Sequence, residues 1–415
     1  MDTALIIGGT RFIGRHLVAE LRDHGYDVTI FNRGNHDNPF DDAVDHIEGD
    51  RTNDSALELA EREVEPDAVF DCVAYKPRDV RAATEIFADA DAYVYVSSGD
   101  AYGSEEIPKR EDETELRSCT REQATDDSPE TYGNRKAEGD RAVFRAAERG
   151  VNAYSVRPCI VYGPHDYTER LDYWIDRVNT HDRVVVPGDG DSVWHRAYVE
   201  DVASALRVVA EDGTPGEAYN VGNRRLMTID EMLALIADAL DTEVETVHAG
   251  ERELAAADLA LDDFVLYREY PHVLATDKLA SLGWESTPLA EATARTVDDH
   301  LDSDRDGAQH DPGRDAEERR VGRWQAVRLG ENLAYGNIFV LNENKSVSHA
   351  AGLVENNVRF DRVIAVLTTL IGFFRGRQAG TTVFRNLITN TLWNLDTTVQ
   401  RQRSDRSLPD PGARP

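Results

Sequence analysis

Short, nearly continuous apolar runs alternate with amphipathic stretches over the first half of the chain. Ala4–Ile7, Val28–Phe31, Val44–Ile47, Ala68–Val73 and Tyr93–Val96 have the length and the β-branched and aromatic content of strands. Between them, Phe12–His24, Ser55–Glu63 and Val80–Ala88 space their apolar residues three and four apart, as on one helix face. Strands apolar on both faces, each followed by a helix, predict a parallel sheet covered on both sides. The expected class is α/β, a doubly wound parallel sheet, in which ligands sit at the carboxyl ends of the strands.

Gly103 to Asp127 reads as an acidic, turn-rich insertion. A helix opens near Ser128-Pro129, with serine as cap and proline in the first turn, and Gly150 ends it after Arg149. Asn152–Val156 is the next strand. Beyond it the pattern is mixed: helices at Leu171–Val178, Val202–Val209, Thr228–Leu240 and Ser286–His300, strands at Val184–Val186 and Ala218–Val221. Residues 302–320 are dense in Asp, Arg, Glu and Gly and read as an acidic, solvated linker. The expected organisation is therefore a Rossmann-like domain over 1–165, a small substrate lobe with returning sheet elements over 166–301, the linker 302–320, and a tail 321–415 of unassigned role. On this division a chain ending near His300 keeps cofactor binding.

Charge sharpens the division. The chain has 415 residues, 40% of them hydrophobic, with 78 acidic against 46 basic residues and a net charge of −32. Only five of the basic residues are lysine (Lys76, Lys109, Lys136, Lys278, Lys345). An acidic, lysine-poor surface suits a cytoplasm full of salt, where screening removes the self-repulsion. It implies a halophilic, archaeal source, or simply an acidic protein of a GC-rich genome. It argues against general affinity for nucleic acid. Residues 331–415 reverse the sign, with 10 basic and 7 acidic side chains. That tail reads as a partner-binding or homodimer-stabilising appendage, a small helical module, or sequence joined by frameshift or fusion. Cys72, Cys119 and Cys159 have no metal-ligand spacing, so no metal site is expected. The longest apolar run, Val363–Phe374, is short of a membrane span, and no signal segment opens the chain; the expected location is cytoplasmic.

The first strand runs into Gly8-Gly9-Thr10-Arg11-Phe12-Ile13-Gly14, which opens a helix. Such a turn needs residues without Cβ, so that a pyrophosphate can approach the helix N-terminus with its free amides and dipole. The second strand ends at Asn32-Arg33, where an acidic residue would select NAD by binding the ribose. An uncharged residue beside an arginine, with Arg11 near, points instead to NADP over NAD. Tyr132 and Lys136 stand at i and i+4 on one helix face. A phenol of ordinary pKa ≈ 10 is a poor base, and a nearby ammonium is expected to lower it. The tyrosine then exchanges a proton with a substrate hydroxyl as hydride moves between carbon and nicotinamide.

These segments together resemble the extended and atypical short-chain dehydrogenase/reductases, the NAD-dependent epimerase/dehydratase family. The glycine loop matches the family's GxxGxxG at Gly8 and Gly14, with Arg11 at the middle position, a variant similar to a branch that includes the chloroplast stem-loop RNA-binding proteins. Tyr95-Val96-Ser97-Ser98-Gly99-Asp100-Ala101-Tyr102-Gly103 resembles the "SS…VYG" signature, which implies Ser98 as partner of Tyr132 and Lys136. Arg157 to Pro164 resembles "RP…VYGP", Tyr198 to Ala203 "VxDVA", Tyr219 to Gly222 "YNVG", and Lys278 to Trp284 "K…LGW". The resemblance spans about residues 3 to 301. It implies cofactor contacts from Gly8 to Gly14, Asn32, Arg33, Asp50, Arg51, Ala74, Lys136 and Pro158.

The substrate candidates are Asp100, Tyr75, Trp194 and Arg196, and Tyr75 departs from the small residue usual in the family. Asp100 also fits a turn cap, and the dehydratases' Asp-Glu pair is Gly99-Asp100 here, which weakens a dehydratase mechanism. Trp194 stands where nucleotide-sugar enzymes carry an arginine for the phosphates; it also fits a core aromatic, and His195 and Arg196 lie beside it. The implied function is a sugar or nucleotide-sugar epimerase-like reaction with a small-molecule sugar-type substrate. Two alternatives stay open: an NADP-dependent reductase of a small carbonyl compound, and a non-catalytic RNA-binding member.

Overall fold

Each apolar run of the first half becomes a strand of one sheet in the computed structural model, which describes residues 1–40 and 43–318. β1 (Thr3–Ile7) leads into α1 (Phe12–Asp23), β2 (Asp27–Asn32) and β3 (Asp45–Glu48). Next come α2 (Asp54–Val64), β4 (Ala68–Asp71), α3 (Pro77–Ile86) and β5 (Ala92–Val96). After an irregular stretch, α4 (Tyr132–Glu148) precedes β6 (Ala153–Pro158). The strand order is β3-β2-β1-β4-β5-β6, with a seventh strand, Ala218–Val221, beside β6, and every pairing is parallel. The chain winds outward from β1 in one direction and from β4 in the other. That reversal opens a crevice at the carboxyl ends of β1 and β4. Ile7 stands level with Phe31 and Asp71, so the glycine loop springs from this edge.

Helices on both faces explain why the strands read as continuous apolar runs. Ala4, Leu5, Ile6 and Ile7 are all fully buried. Alternate residues enter two cores: Ala4 and Ile6 pack with Leu17, Val18 and Leu21 of α1, while Leu5 and Ile7 pack with Leu57 and Val80 of α2 and α3. Each such aliphatic side chain contributes roughly 1.5–3 kcal/mol on leaving water.

The second half is built of smaller pieces: β7 (Ile160–Tyr162), α5 (Asp172–Thr180), β8 (Arg183–Pro187), β9 (Val193–Trp194), β10 (Arg196–Tyr198) and α6 (Val199–Asp212). β11 is the returning strand Ala218–Val221; β12 (Met227–Thr228), α7 (Ile229–Ala239), β13 (Glu245–Ala249), α8 (Glu251–Ala255), α9 (Asp277–Ala280) and α10 (Leu289–Leu301) follow. β7 pairs with β10, β9 with β12 and β8 with β13. The start of α7 is written locally: Thr228 Oγ1 accepts the Glu231 N–H at 3.2 Å, and Glu231 returns a carboxylate to the Thr228 N–H at 3.0 Å.

The stretch after α10 corrects an expectation. As far as it is described, to residue 318, it is not a solvated linker but a strap seated on α5 and its flanks. Arg305 pairs with Asp172 and Asp299. Glu317 is fully buried and accepts hydrogen bonds from the Tyr173 hydroxyl at 2.8 Å, Arg177 Nε at 3.2 Å and Arg314 Nη1 at 2.9 Å. Its charges face partners rather than water, which composition alone does not distinguish. The first compact unit accordingly takes in this stretch. The expected tail 321–415, including Val363–Phe374, lies outside the described residues. No described helix is long and apolar enough to cross a membrane.

Candidate active site

The glycine loop has the form a pyrophosphate requires. Gly8 has φ of +100°, a left-handed conformation that disfavours side chains. A Cβ on Gly14 would stand 2.1 Å from the Gly8 carbonyl oxygen, so the helix can approach the strand only without one. α1 starts at Arg11 with no side-chain cap and no acidic residue in its first turn. Its first amides are therefore open to an anion. Gly9 and Phe12 are buried, Thr10 and Ile13 half-buried, and Arg11 is exposed. The Arg11 guanidinium lies 3.5 Å from the centroid of the Tyr167 ring, a cation–π contact between residues far apart in the chain.

At the end of β2, Asn32 folds over its own turn. Its Oδ1 accepts the Gly34 N–H at 2.8 Å and faces His46 Nε2 at 3.1 Å, while Nδ2 reaches Thr10 Oγ1 at 3.4 Å. Arg33 is exposed and acts electrostatically on Asp50. Hydrogen bonds from the Thr52 amide and hydroxyl lower the Asp50 carboxyl first, the two arginines beside it less. Arg51, expected on the cofactor, is instead buried and paired with Asp71 and Asp79. Its basicity rises despite burial because Asp71 holds the charge.

Ser98, Tyr132 and Lys136 come together where β4 and β5 end. α4 begins at Tyr132, so one turn separates phenol and ammonium. Lys136 is buried and donates to the carbonyls of Ala74 (3.0 Å), just beyond β4, and Val96 (2.8 Å), the last residue of β5. Its Nζ is 5.7 Å from the Tyr132 ring centroid and 5.2 Å from that of Tyr75. Burial lowers Lys136 to about 8, partly offset by Asp71 and Asp140. The Ser98 hydroxyl accepts the Asp100 N–H at 3.2 Å and lies near enough to the Tyr132 phenol to favour its ionised form.

The Tyr132 phenol departs from the expected direction. Burial raises it to about 12, against the lowering effect of Ser98. The lysine is turned to the two carbonyls, and within the protein's own field desolvation outweighs it. Asp100 pairs with Arg268 at 3.1 Å and is partly exposed. Tyr75 is exposed, and its phenol is close enough to Tyr167 to be influenced by it.

The expected substrate residues beyond β6 are deeper than the sequence suggested. Pro158 is buried at the end of β6, beside Val221. Trp194 and Arg196 are buried on β9 and β10. His195 turns elsewhere: its Nδ1 accepts the Leu274 N–H at 3.0 Å, and Nε2 meets the Asn223 carbonyl at 2.9 Å. Desolvation lowers it to about 4 and keeps it neutral. Two positioning residues had no role in the sequence reading. Asp140, one turn beyond Lys136, takes Arg157 Nε at 2.9 Å and the Ser155 hydroxyl, and Arg157 Nη1 reaches the Tyr102 hydroxyl at 2.9 Å. This ties α4 to β6 and to the segment carrying Ser98. Among the described residues no cluster of three or more His, Cys, Asp or Glu is arranged for a metal ion.

A parallel sheet with its switch point between β1 and β4, a glycine loop at that edge and a phenol–ammonium pair beside it define a dinucleotide-binding α/β protein. Residues 4–222 match the NAD dependent epimerase/dehydratase family, and the chain belongs to that family; its relatives include the enzyme dTDP-D-glucose 4,6-dehydratase of Mus musculus. The chain is 28% identical over 302 residues to chloroplast stem-loop binding protein of 41 kDa b of Arabidopsis thaliana, covering 68% of this chain and 74% of that one. It is 25% identical over 318 residues to the low-salt glycan biosynthesis protein Agl12 of Haloferax volcanii, covering 68% and 92%. The fold is shared with UDP-glucose 4-epimerase of Thermotoga maritima, solved with UDP-glucose, at a TM-score of 0.57 and 21% identity over 72% of this chain and 99% of that one.

Proposed function

We propose that the protein is an NADP-preferring epimerase-like enzyme acting on a sugar or nucleotide sugar in a salt-rich cytoplasm. The observation that carries this reading is the meeting of Ser98, Tyr132 and Lys136 beside the glycine loop. Gly8 to Gly14 hold the pyrophosphate, Lys136 the nicotinamide ribose, and Asn32 with Arg33 the adenosine ribose and its 2′-phosphate. When bound, the nicotinamide supplies a site for reversible hydride exchange. Ser98 holds the substrate oxygen. Tyr132, protonated in the protein's own field, gives its proton to a carbonyl oxygen. In the reverse direction it takes that proton from the hydroxyl, which positive charge brought beside the phenol favours. Lys136 keeps the tyrosine and ribose in register.

The family match, the Thermotoga epimerase fold and the glycan-synthesis relative support a sugar-type substrate. The likeness to a stem-loop binding protein favours a second reading, RNA binding, but a net charge of −32 opposes it. Incubation with a panel of sugars and nucleotide sugars in molar salt tests the proposal. Tyr132-dependent interconversion without net change in nicotinamide absorbance supports an epimerase. A net change makes it a reductase or dehydrogenase, and a salt-sensitive RNA shift with no turnover favours the second reading.

A further inference from the structure

β10 carries an arginine that the described protein leaves unanswered. Arg196 is 1% exposed, and its Nε, Nη1 and Nη2 have no hydrogen-bond partner among the described residues. Arg51, Arg157 and Arg177 are also buried, but each is paired with a carboxylate. A buried guanidinium without a partner is strongly unfavourable, so it marks a place where an anion is wanted.

Other orphan atoms lie on side chains next to it or one contact away. The Tyr162 hydroxyl, the indole nitrogens of Trp174 and Trp194, and Asp166 Oδ2 are buried without hydrogen-bond partners among the described residues. Arg196 Cζ lies 4.2 Å from the Trp194 ring centroid and 6.0 Å from that of Tyr162. The Trp174 and Trp194 rings stand 5.9 Å apart, at 70° to each other. Arg196 pairs with Ile160 across β7 and β10, two residues beyond Pro158. Arg170 acts electrostatically on both Arg196 and Tyr132.

The set is rich in donors. A guanidinium and two indole N–H groups donate only, and a phenol donates or accepts; Asp166 Oδ2 is the one obligate acceptor when ionised. Such a set suits an oxyanion better than a sugar hydroxyl. Its seclusion adds a restriction. Trp174, Trp194, Tyr162 and Arg196 are each at most 5% exposed, so the cluster is an end wall.

We propose that Arg196, with Trp174, Trp194 and Tyr162, forms a closed subsite for a terminal oxyanion of the substrate, a carboxylate or a phosphate monoester. The inference rests on the proposed function in that Tyr132 acts on the same molecule. It narrows the substrate to a sugar that carries such a group.

The test is calorimetric titration of the full chain with galactose 1-phosphate, glucuronate and uncharged galactose, in the wild type and in Arg196→Met. At least one acid binds the wild type, at least ~10-fold more weakly in Arg196→Met, and more tightly than galactose does. The acid that binds better identifies the group. Arg196→Met also unfolds at a higher temperature, because an unpaired buried charge is gone. If that variant does not fold, Arg196→Lys keeps the charge and loses the planar fork, and a comparable drop in acid affinity supports the subsite. Equal binding by wild type and variant, or no binding of either acid, overturns it. Dinucleotide titration of the same samples separates the two claims: failure there refutes the proposed function, while an Arg196-dependent acid site still stands.

Discussion

Replacing Arg157 by methionine tests whether the buried pair beneath the active site is what holds α4 in place. Arg157 and Asp140 have side chains 1% and 0% exposed, with Nε 2.9 Å from Oδ2. The variant leaves the Asp140 carboxylate buried with only the Ser155 hydroxyl, and the Tyr102 hydroxyl without its donor. Breaking one side of a buried pair costs about 3–5 kcal/mol. At about 2 °C per kcal/mol for a chain of this size, the melting temperature falls by about 6–10 °C. The cost lies in the stranded charge, so Asp140→Asn in the Arg157→Met background restores a large part of it. A double-mutant cycle followed by circular dichroism reads the coupling, expected above about 1.5 kcal/mol. Coupling near zero, or an Arg157→Met protein as stable as the wild type, would refute the reasoning.

Further expectations follow from the same geometry. Gly14→Ala drives a Cβ to 2.1 Å from the Gly8 carbonyl oxygen, so dinucleotide affinity falls at least ~10-fold and the fold loses about 1–3 kcal/mol, read by calorimetry and thermal unfolding. Burial lowers Lys136 to about 8, so its ammonium is lost as pH rises through that value; kcat/KM declines above about pH 8, and an alkaline limb well above pH 10 would contradict the assignment. The folded value lies below the ordinary 10.5, so the charging penalty is fully present below about pH 8 and is relieved as pH rises from there toward 10.5. A chain ending at His300 is less stable than one ending at Glu318 by at least about 3 kcal/mol, because Arg177 loses Glu317; equal melting temperatures would restore the linker reading.

Much of the fold was legible because its signals are local. Ala4–Ile7, Val28–Phe31 and Ala218–Val221 are strands buried on both faces, and a run of apolar residues says so without knowledge of partners. β7, β9, β10 and β12 were not foreseen. They are two or three residues long, and their pairing depends on segments that meet only after folding. β13 was missed because Glu245–Ala249 is half polar and only its partner β8 makes it a strand. The strap after α10 looked like a linker because charge density is the same whether acids face water or arginines. At the site, spacing placed Tyr132 and Lys136 on one helix face, and the strand-end motif brought in Ser98. It could not show Asp140 as the anchor of that helix, nor Tyr167 over Arg11, because both contacts join residues distant in sequence. Arg51, expected among the cofactor contacts, pairs with Asp71 and Asp79 for the same reason: position in the loop does not reveal partners 20 and more residues away.

The most direct measurement is a titration of the full chain in molar salt with NADP(H) and NAD(H), wild type against Tyr132→Phe. The account predicts that both proteins bind a dinucleotide with similar affinity, NADP(H) more tightly. Turnover of a sugar falls at least ~100-fold in the variant. Binding of neither dinucleotide, or undiminished turnover without the phenol, would contradict the claim that Ser98, Tyr132 and Lys136 are the working centre of a nicotinamide enzyme.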